Sequence, residues 1–376
     1  MKVGAGKRAP AESRRQPVLA APHCGKLCAS GSKWDRRSVF VVCHFRRAPL
    51  TDDKRRSSVP PLLVDSWIVI LALAALCGCG RYADFTLPPV VGGDPRTTFT
   101  LEERRAPVLE RGSYSDVLNP SVVRAGNGFT NYYSAFDGKT WRTLVAESPD
   151  GIQWRNQGEA IPHQPAAPAD SYIAANGSAL DYGDNIWYWY EAGPRERLRI
   201  ELRGKAVLQP GPWASWDERD VADPDVIRIE PYFYLYYLGQ DRGARQKIGV
   251  ARSRDGVEWE KLRGNPVLES EENLGEPAVW QSHGFYWMLY TVRLAGEVRH
   301  LRLARSTDGV HWTKLPAEFS GAGAWDSKVM CDPSVLVDGD RVLLWFGGGD
   351  VARPDENIHG QIGFGVLRPV SATLEK

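Results

Sequence analysis

The sequence is poor in cysteine where a folded domain is expected. Of the six cysteines in the 376-residue chain, only Cys331 follows Cys79. An exported domain built from residues 80–376 therefore has no disulfide and must rely on a large hydrophobic core. Those residues carry 33 Lys and Arg against 41 Asp and Glu, and they contain no P-loop or zinc-finger spacing. We therefore expect no nucleic-acid partner.

Residues 1–60 have the opposite charge balance. They carry 14 Lys and Arg against 4 Asp and Glu, and they show no sustained apolar periodicity. We interpret residues 1–63 either as the result of a start codon placed too far upstream or as a disordered extension. The spacing of Cys24, Cys28 and Cys43 fits no standard zinc finger, so we assign no metal site there.

The chain also lacks a long apolar run. The run at residues 67–77 has 11 residues, which is too short to span a bilayer as a helix but suits the core of a signal peptide. It ends in LCGCG, which resembles a bacterial lipobox. We predict a signal peptide over residues 64–79, lipidation of Cys79, and an exported protein anchored to the cell envelope, at the outer membrane or periplasmic face of a Gram-negative cell. An uncleaved anchor or a buried strand is the alternative for the apolar run. Residues 80–96 would be a linker.

Two motifs recur in the rest of the chain. The phrase ARSRDGVEW at residues 251–259 returns as ARSTDGVHW at 304–312 and as AESPDGIQW at 146–154. A second unit, such as DPDVIRIEPYFYLYYLG, occurs five times, with starts separated by 57, 47, 53 and 56 residues. Repeats of about this length predict an all-β fold, a five-bladed β-propeller of four-stranded antiparallel blades. The five units start at Asn119, Asn176, Asp223, Glu276 and Asp332.

Each repeat has the pattern of a four-stranded meander. The first strand is expected to start after a Pro, the second is aromatic, the third ends at the Ser of the phrase, and Asp-Gly makes a tight turn. The Trp of the phrase, on the fourth strand, is expected to pack between blades. The last repeat lacks its fourth strand, and RAPVL at 105–109 echoes GNPVL at 264–268. Residues 97–110 are therefore predicted to supply that strand and close the ring of a domain covering residues 97–376.

The repeat starts are also the candidate site. First strands line the axis of a propeller, so we expect the carboxylates of Asp223, Glu276 and Asp332 to converge there. Like charges held close together raise at least one pKa, as a general acid requires. The alternative is that these residues only cap the start of a strand by hydrogen bonding to nearby backbone.

The repeats, the DP of Asp223, the EP of Glu276 and the S-x-DG-x-x-W phrases resemble the five-bladed propeller glycosidases of family 43 and their relatives in families 32 and 130. The resemblance covers about residues 97–370. It implies that Glu276 is the general acid and that Asp223 tunes it. The base position of family 43 holds Asn119, whose amide cannot accept a proton from water. Asp332 or Asp116 is then the candidate base.

Other residues are candidates for substrate contacts. Asn119 and Asn176 face the expected axis, and Asp116 stands just before the first strand of repeat 1. Trp213 and Trp280 stand near loops or strand starts where an indole can stack on a sugar. His359 occupies the place of an inner-cavity His that holds water or calcium in family 43, and a surface His is the equal alternative. We expect no required cofactor and leave open a structural calcium ion in the central channel. Tyr114, Trp141, Trp216 and Trp325 complete the set of candidate stacking aromatics.

These features favour an inverting glycoside hydrolase that acts on an oligo- or polysaccharide at the axis and is monomeric. A non-catalytic glycan-binding lipoprotein is one alternative, because the base is missing at Asn119. A family 130-like phosphorylase is another, because phosphate needs no enzymatic base. A further alternative is a propeller that binds only proteins, in which case the chain should have no affinity for sugars.

Overall fold

The computed structural model describes residues 81–103, 106–161, 171–195 and 197–371. These ranges contain strands, turns and one short 3₁₀ helix, Ala295–Glu297, and they contain no α-helix. The prediction of an all-β fold is confirmed for this part of the chain. None of the helices in these residues has the length and apolarity needed to cross a membrane. The expectations for residues 1–79, including lipidation of Cys79, lie outside the described residues.

The strands form five antiparallel meanders, one for each sequence repeat. Two strands precede them, β1 (Tyr82–Ala83) and β2 (Thr97–Glu103). Repeat 1 holds β3 (Asp116–Ala125), β4 (Gly128–Phe136), β5 (Trp141–Ser148) and β6 (Arg155–Glu159). Repeat 2 holds β7 (Ile173–Tyr182), β8 (Asn185–Gly193), β9 (Arg199–Leu202) and β10 (Lys205–Leu208).

The remaining three repeats follow the same order. Repeat 3 holds β11 (Asp220–Ile229), β12 (Tyr232–Gln240), β13 (Gln246–Ser253) and β14 (Trp259–Leu262). Repeat 4 holds β15 (Asn273–Ser282), β16 (Phe285–Arg293), β17 (Arg299–Ser306) and β18 (Thr313–Phe319). Repeat 5 holds β19 (Val329–Asp338), β20 (Arg341–Gly349) and β21 (Gln361–Ser371). Consecutive strands within a repeat pair antiparallel. The first strands therefore begin, and the second strands finish, at the same end of the meanders. We call this end, which is not the outermost strand of a sheet, the hub edge.

The last repeat takes its outer strand from the N-terminal part of the domain. Strand β2 pairs antiparallel with β21, from Thr97 opposite Ser371 to Glu103 opposite Gly365. The echo between RAPVL and GNPVL also has a structural meaning. Leu109 forms an isolated bridge to Ile362, as Leu268 does to Ile248 in repeat 3.

Residues 81–96 do not fit the expected linker. Strand β1 pairs in parallel with β14, and the Leu87 N–H donates to the Asp308 carbonyl at 2.8 Å. The Leu87 side chain is fully buried, and the Tyr286 hydroxyl donates to the Pro88 carbonyl at 2.7 Å. The segment is therefore part of the folded domain, packed on repeats 3 and 4. Sequence periodicity missed it because it belongs to no repeat.

The recurring S-x-DG-x-x-W phrase builds a self-contained turn. In repeat 3 the Ser253 hydroxyl accepts the Gly256 N–H at 2.9 Å, and the Asp255 carboxylate accepts the Val257 and Glu258 N–H groups. Gly256 has φ of 72°, which a Cβ would strain. Repeats 1 and 4 have the same bonds at Ser148 and Ser306. Ser and Asp in this phrase are thus structural.

The glycine of each turn also fastens one repeat to its neighbour. The Trp189 indole of repeat 2 donates to the Gly256 carbonyl at 2.8 Å, and it lies edge-on to Trp259. The corresponding bonds run from the Trp345 indole to the Gly151 carbonyl and from the Tyr236 hydroxyl to the Gly309 carbonyl, each at 2.7 Å. The Trp of the phrase therefore packs between repeats, as predicted, and aromatic side chains of the second strands fill the same space.

First strands are joined across repeats by hydrogen bonds from backbone to side chain. Each bond runs from an N–H of one first strand to a polar side chain on the first strand of the preceding repeat. The bonds are Ala179 N–H to Ser121 (2.7 Å), Val226 N–H to Ser178 (2.9 Å), Val279 N–H to Asp225 (2.8 Å) and Val122 N–H to Ser334 (3.0 Å). Three of these bonds join consecutive repeats, and the fourth joins repeat 5 to repeat 1.

The contribution of β2 to stability is testable through Phe99. Its ring is 2% exposed and lies edge-on to Trp287 with ring centroids 4.9 Å apart. We expect Phe99→Ala to lower the free energy of unfolding by about 3–4 kcal/mol, because it leaves a cavity in the core. Urea unfolding measures this. Thr100→Ala, an exposed position on the same strand, should change it by less than about 0.5 kcal/mol. Equal effects of the two substitutions would show that β2 does not hold repeat 5.

Candidate functional site

Five repeat-start residues, which we call the hub residues, share one unusual backbone conformation. Each lies three residues inside the first strand of its repeat, so the expectation that the strand starts after the Pro is wrong. At each hub residue the pairing with the second strand shifts register, as in a β-bulge. Each hub residue has positive φ: Asn119 (47°), Asn176 (47°), Asp223 (45°), Glu276 (52°) and Asp332 (49°).

The residue after each hub residue suits this bulge. It is Pro in four repeats, where a missing N–H costs nothing because the ladder is interrupted there. In repeat 2 it is Gly177, where a Cβ would lie 2.5 Å from the Trp189 carbonyl oxygen. Asn and Asp tolerate the left-handed region better than most residues, whereas Glu276 has no such advantage. The left-handed backbone therefore costs more at Glu276 than at the Asn and Asp hub residues.

Hub residues of repeats 1, 4 and 5 are in direct contact. The Asp332 N–H donates to Glu276 Oε2 at 3.1 Å, and Asp332 Oδ2 accepts the Asn119 N–H at 3.4 Å. One carboxylate oxygen each from Glu276 and Asp332 and the Cys331 Sγ all lie within 4.8 Å of one another. Gly347 leaves space for this cluster, because a Cβ there would lie 2.9 Å from Asp332 Oδ2. The expected convergence of Glu276 with Asp332 is thus present.

Hub residues of repeats 2 and 3 meet through Glu191, on β8. The Asn176 amide donates to Glu191 Oε2 at 3.3 Å, and the Asp223 backbone N–H also donates to the Glu191 carboxylate. Glu191 is 4% exposed. Sequence reasoning missed it because it lies on a second strand. Ser134, at the matching place on β4, similarly accepts the Asn176 N–H at 2.9 Å.

The buried carboxyls resist ionisation. Burial raises the pKa of Asp223 well above its ordinary value, and the negative charges of Glu191 and Glu276 add to this. Burial and the charges of Glu276 and Asp223 do the same for the pKa of Asp332. Burial raises the pKa of Glu191 to about 8, although its hydrogen bond from Asn176 opposes the shift. The hub therefore holds protons at neutral pH that free carboxylates would release.

Arg299, the first residue of β17, is the cation of the hub and was not predicted. It is 4% exposed, and its guanidinium donates to the Arg353 carbonyl at 2.9 Å. Its buried Nε has no hydrogen-bond acceptor among the described residues. Burial opposes its charge, but Cys331, Glu276 and Asp332 raise the pKa of Arg299 above its ordinary range. It partly balances the hub carboxylates.

Residues 350–360, between β20 and β21, connect other repeats at the hub edge. Asp116 is fully buried, and its carboxylate accepts the N–H groups of Ile358 at 3.0 Å and Gly360 at 2.8 Å. Asp116 is therefore committed to anchoring this segment, and the expectation that it binds substrate or acts as base does not fit. In the same segment, Glu356 accepts from the Tyr172 hydroxyl and from Arg195 of repeat 2.

The remaining candidates separate by exposure. Trp280 is 5% exposed and packs against Phe99 and Trp287, so it is a core residue and the stacking expectation does not fit. His359 is exposed and pairs with Asp350 at 2.7 Å, which corresponds to the surface alternative. Trp213 is 77% exposed at the hub edge and keeps its place as a candidate.

The donor set at the hub does not fit calcium. Calcium takes about six to eight oxygen ligands, whereas Glu276 and Asp332 are joined here by the thiol of Cys331. The Arg299 guanidinium close to all three also opposes a cation. The expectation that no cofactor is required stays a prediction.

A family comparison agrees with this geometry. The family model described as the glycosyl hydrolases family 32 N-terminal domain matches residues 129–331, more than half of the chain. The chain belongs to this family. The match runs from the second strand of repeat 1 to the start of repeat 5, and it contains three of the five hub residues, Asn176, Asp223 and Glu276.

Sequence relatives of this family 32 member add little about activity. It is 29% identical over 161 residues to an uncharacterized protein of Mycobacterium tuberculosis, MT1551, covering 39% of this chain and 54% of that protein. The chain thus spans about half the length of the curated relatives it matches.

Solved structures share the fold at low identity. The protein BT0996, solved as a complex with RGII, has a TM-score of 0.60 and 16% identity, covering 78% of this chain and 95% of that one. A thermostable family-43 glycoside hydrolase has a TM-score of 0.53 and 17% identity, covering 69% and 94%. The family 32 member therefore has the propeller-like fold of glycoside hydrolases.

The raised pKa of Glu191 predicts a pH dependence of stability. The ordinary pKa of 4.5 rises to about 8 on folding, so between these values the folded state holds a proton that the unfolded state releases. Stability should therefore fall as pH rises from about 5 to about 8, by at most about 1.4 kcal/mol per pH unit for this one group. Glu191→Gln should reduce that fall, measured by urea unfolding at several pH values.

The matched control for this prediction is Glu147→Gln, which changes an exposed glutamate of repeat 1. It should leave the pH dependence as in the wild type. A Glu191→Gln variant whose stability falls as steeply as the wild type would contradict the assigned titration.

Proposed function

We propose that this protein cleaves glycosidic bonds at the hub, with Glu276 as the general acid. One observation carries the proposal: in a family 32 domain, strained and half-buried Glu276 stands beside Asp332 and within electrostatic reach of Asp223. A carboxyl in such a cluster can protonate the leaving oxygen of a glycoside. We assign Asp223 the role of tuning this acid, because the two carboxyls lie within electrostatic reach of each other.

We also propose that the five meanders are the blades of a closed five-bladed propeller. The hydrogen bonds that join repeat 5 to repeat 1, at Val122 and Asn119, support a ring. The pairing of β2 with β21 supports closure by the N-terminal strand. A ring also accounts for the convergence of residues that lie up to 213 positions apart in sequence.

Asp332 is better suited to positioning than to the role of base. In inverting glycosidases the two carboxyl groups stand about 6.5–9.5 Å apart, which leaves room for water beside the sugar. Oxygens of Glu276 and Asp332 lie within 4.8 Å of each other, on neighbouring repeats. Asp332 also contacts the Asn119 backbone. We therefore assign Asp332 to holding Glu276 and Asn119 in place. None of the three candidate positions, Asn119, Asp116 and Asp332, then supplies the general base that an inverting mechanism needs.

The missing base favours a second candidate function, glycan binding without turnover. Asn119 and Asn176 offer amide groups that hydrogen-bond sugar hydroxyls without chemistry. Phosphorolysis is a variant of the first candidate, since phosphate attacks without an enzymatic base. The complex of BT0996 with RGII supports a polysaccharide as the ligand class.

Export and anchoring stay proposals of the same kind. We propose a lipid anchor at Cys79 that holds a monomer at the cell envelope, with a glycan and the membrane as its partners. The lipobox-like LCGCG supports this anchor.

The acid role of Glu276 is tested by Glu276→Gln in the full chain. Initial rates on aryl glycosides and on plant and microbial polysaccharides should fall by at least about 100-fold, because the amide cannot donate a proton to the leaving oxygen. Glycan affinity measured by calorimetry should change little. Glu271→Gln, an exposed position in the same repeat, should keep the wild-type rate. Turnover that survives Glu276→Gln would refute the assignment.

The missing base is tested by Asn119→Asp. If this position corresponds to the family 43 base, the carboxylate should raise hydrolysis by about 100-fold. Asn176→Asp makes the same change at the next hub residue and should not. A wild-type rate that needs phosphate and yields a sugar phosphate would identify phosphorolysis. Binding without turnover in all of these variants would favour the glycan-binding function.

A further inference from the structure

A cavity opens at the hub edge, outside the hub cluster. It has a volume of about 300 Å³ and is lined by three arginines, an exposed tryptophan, a glycine and a glutamate. We propose that this arginine cavity binds a carboxylated sugar, a uronate residue of the glycan whose bond is cleaved at the hub. The inference rests on the proposed function and adds the substrate class. The lining residues are Arg197, Gly211, Trp213, Glu218, Arg219 and Arg242.

The cavity lies within reach of the hub along the same face. Arg197 lies between β8 and β9 and Arg242 between β12 and β13, which are connections at the hub edge. Arg219 directly precedes β11 and is four residues from Asp223. At about 3.4 Å per residue these two residues are at most about 14 Å apart along the chain. An oligosaccharide with one sugar at the hub can therefore place another in the cavity.

The cations of the cavity exceed its anions among the described residues. Glu218 pairs with Arg242 at 3.2 Å, and Arg219 pairs with the buried Asp220 at 3.1 Å. Arg197 is exposed and has no ion pair with a described residue, although it lies within electrostatic reach of Asp220. Its planar guanidinium is suited to bidentate binding of a carboxylate. The cavity thus offers one cation of suitable geometry that no salt bridge occupies among these residues.

The hub itself is unfavourable for an acidic sugar. Asp223, Glu276, Asp332 and Glu191 are carboxyls, and Arg299 is the buried cation among them. A uronate bound there would find no exposed guanidinium to pair with, because Arg299 is only 4% exposed and lies among these carboxyls. The difference in accessible cations between the two places therefore assigns a neutral sugar to the hub and the acidic sugar to the arginine cavity.

Trp213 supplies an apolar surface beside the arginines. Its side chain is 77% exposed, the most exposed aromatic among the described residues. The loop around it is held in place: the Ala214 N–H donates to Glu218 Oε2 at 2.7 Å, and the Ser215 N–H donates to the Pro212 carbonyl at 3.0 Å. Glu218 thus fixes both the loop and Arg242. An exposed indole next to a guanidinium can stack on a sugar ring while the cation binds its carboxylate.

The test compares acidic oligosaccharides with their uncharged forms. Oligosaccharides ending in glucuronate or galacturonate are titrated into the full chain by calorimetry, each beside its methyl ester. We expect at least one acid to bind about 10-fold more tightly than its ester at low salt, and the difference to shrink at high salt. Equal affinity of acid and ester for both sugars would overturn the inference.

Variants locate the effect. Arg197→Ala and Trp213→Ala should each weaken binding of the preferred acid by about 10-fold, and Arg197→Ala should remove the preference over the ester. Arg245→Ala is the matched control, because Arg245 is exposed on the same edge and hydrogen-bonds the Ser270 carbonyl instead. An unchanged preference in Arg197→Ala would contradict the site.

The two proposals fail separately. Turnover of neutral glycans that depends on Glu276, combined with equal binding of acid and ester, would overturn the arginine cavity alone. A preference for the acid that Arg197→Ala abolishes, in a protein without turnover, would overturn the glycosidase and leave the binding site in place.

Discussion

The left-handed bulge in every first strand is the constraint on which the rest of this structure depends. A non-glycine residue in this region costs about 1–3 kcal/mol, so five of them are a substantial load beside the ~5–15 kcal/mol that stabilises a typical domain. Contacts across repeats keep the bulges in place: Glu276 accepts the Asp332 N–H, and Glu191 accepts the Asp223 N–H. The strained residues are thus held by one another.

Holding these residues together brings carboxyl groups close to one another in a buried place, where ionised carboxylates would repel. Protonation and one nearby cation limit that repulsion. Burial and mutual repulsion keep protons on Asp223, Asp332 and Glu191, and Arg299 supplies one compensating charge. The free energy of unfolding is consequently linked to the pKa values of these carboxyls. Glu276, the proposed acid, lies among these groups and accepts the Asp332 N–H.

The repeat period predicted the meanders and the convergence of Glu276 with Asp332, because every repeat places equivalent residues at equivalent points. It could not reveal Glu191 or Arg299, since each is particular to one repeat. The roles of Asp116 and of residues 81–96 depend on segments without a repeat counterpart, so no periodic pattern marks them. The apolar pattern around Trp280 does not show what its ring faces, and only the packing against Phe99 shows it to be core.

The backbone at the hub also bears on how such proteins diverge. Asparagine and aspartate differ by one terminal group and both accept the left-handed conformation that Asn119 and Asp223 share. A single nucleotide change can interconvert their codons without any adjustment of the surrounding main chain. If Asn119 occupies the position of a base, a carbohydrate receptor and a catalyst with this backbone would differ by one terminal group, and overall likeness between two such proteins would be a weak guide to whether either performs chemistry.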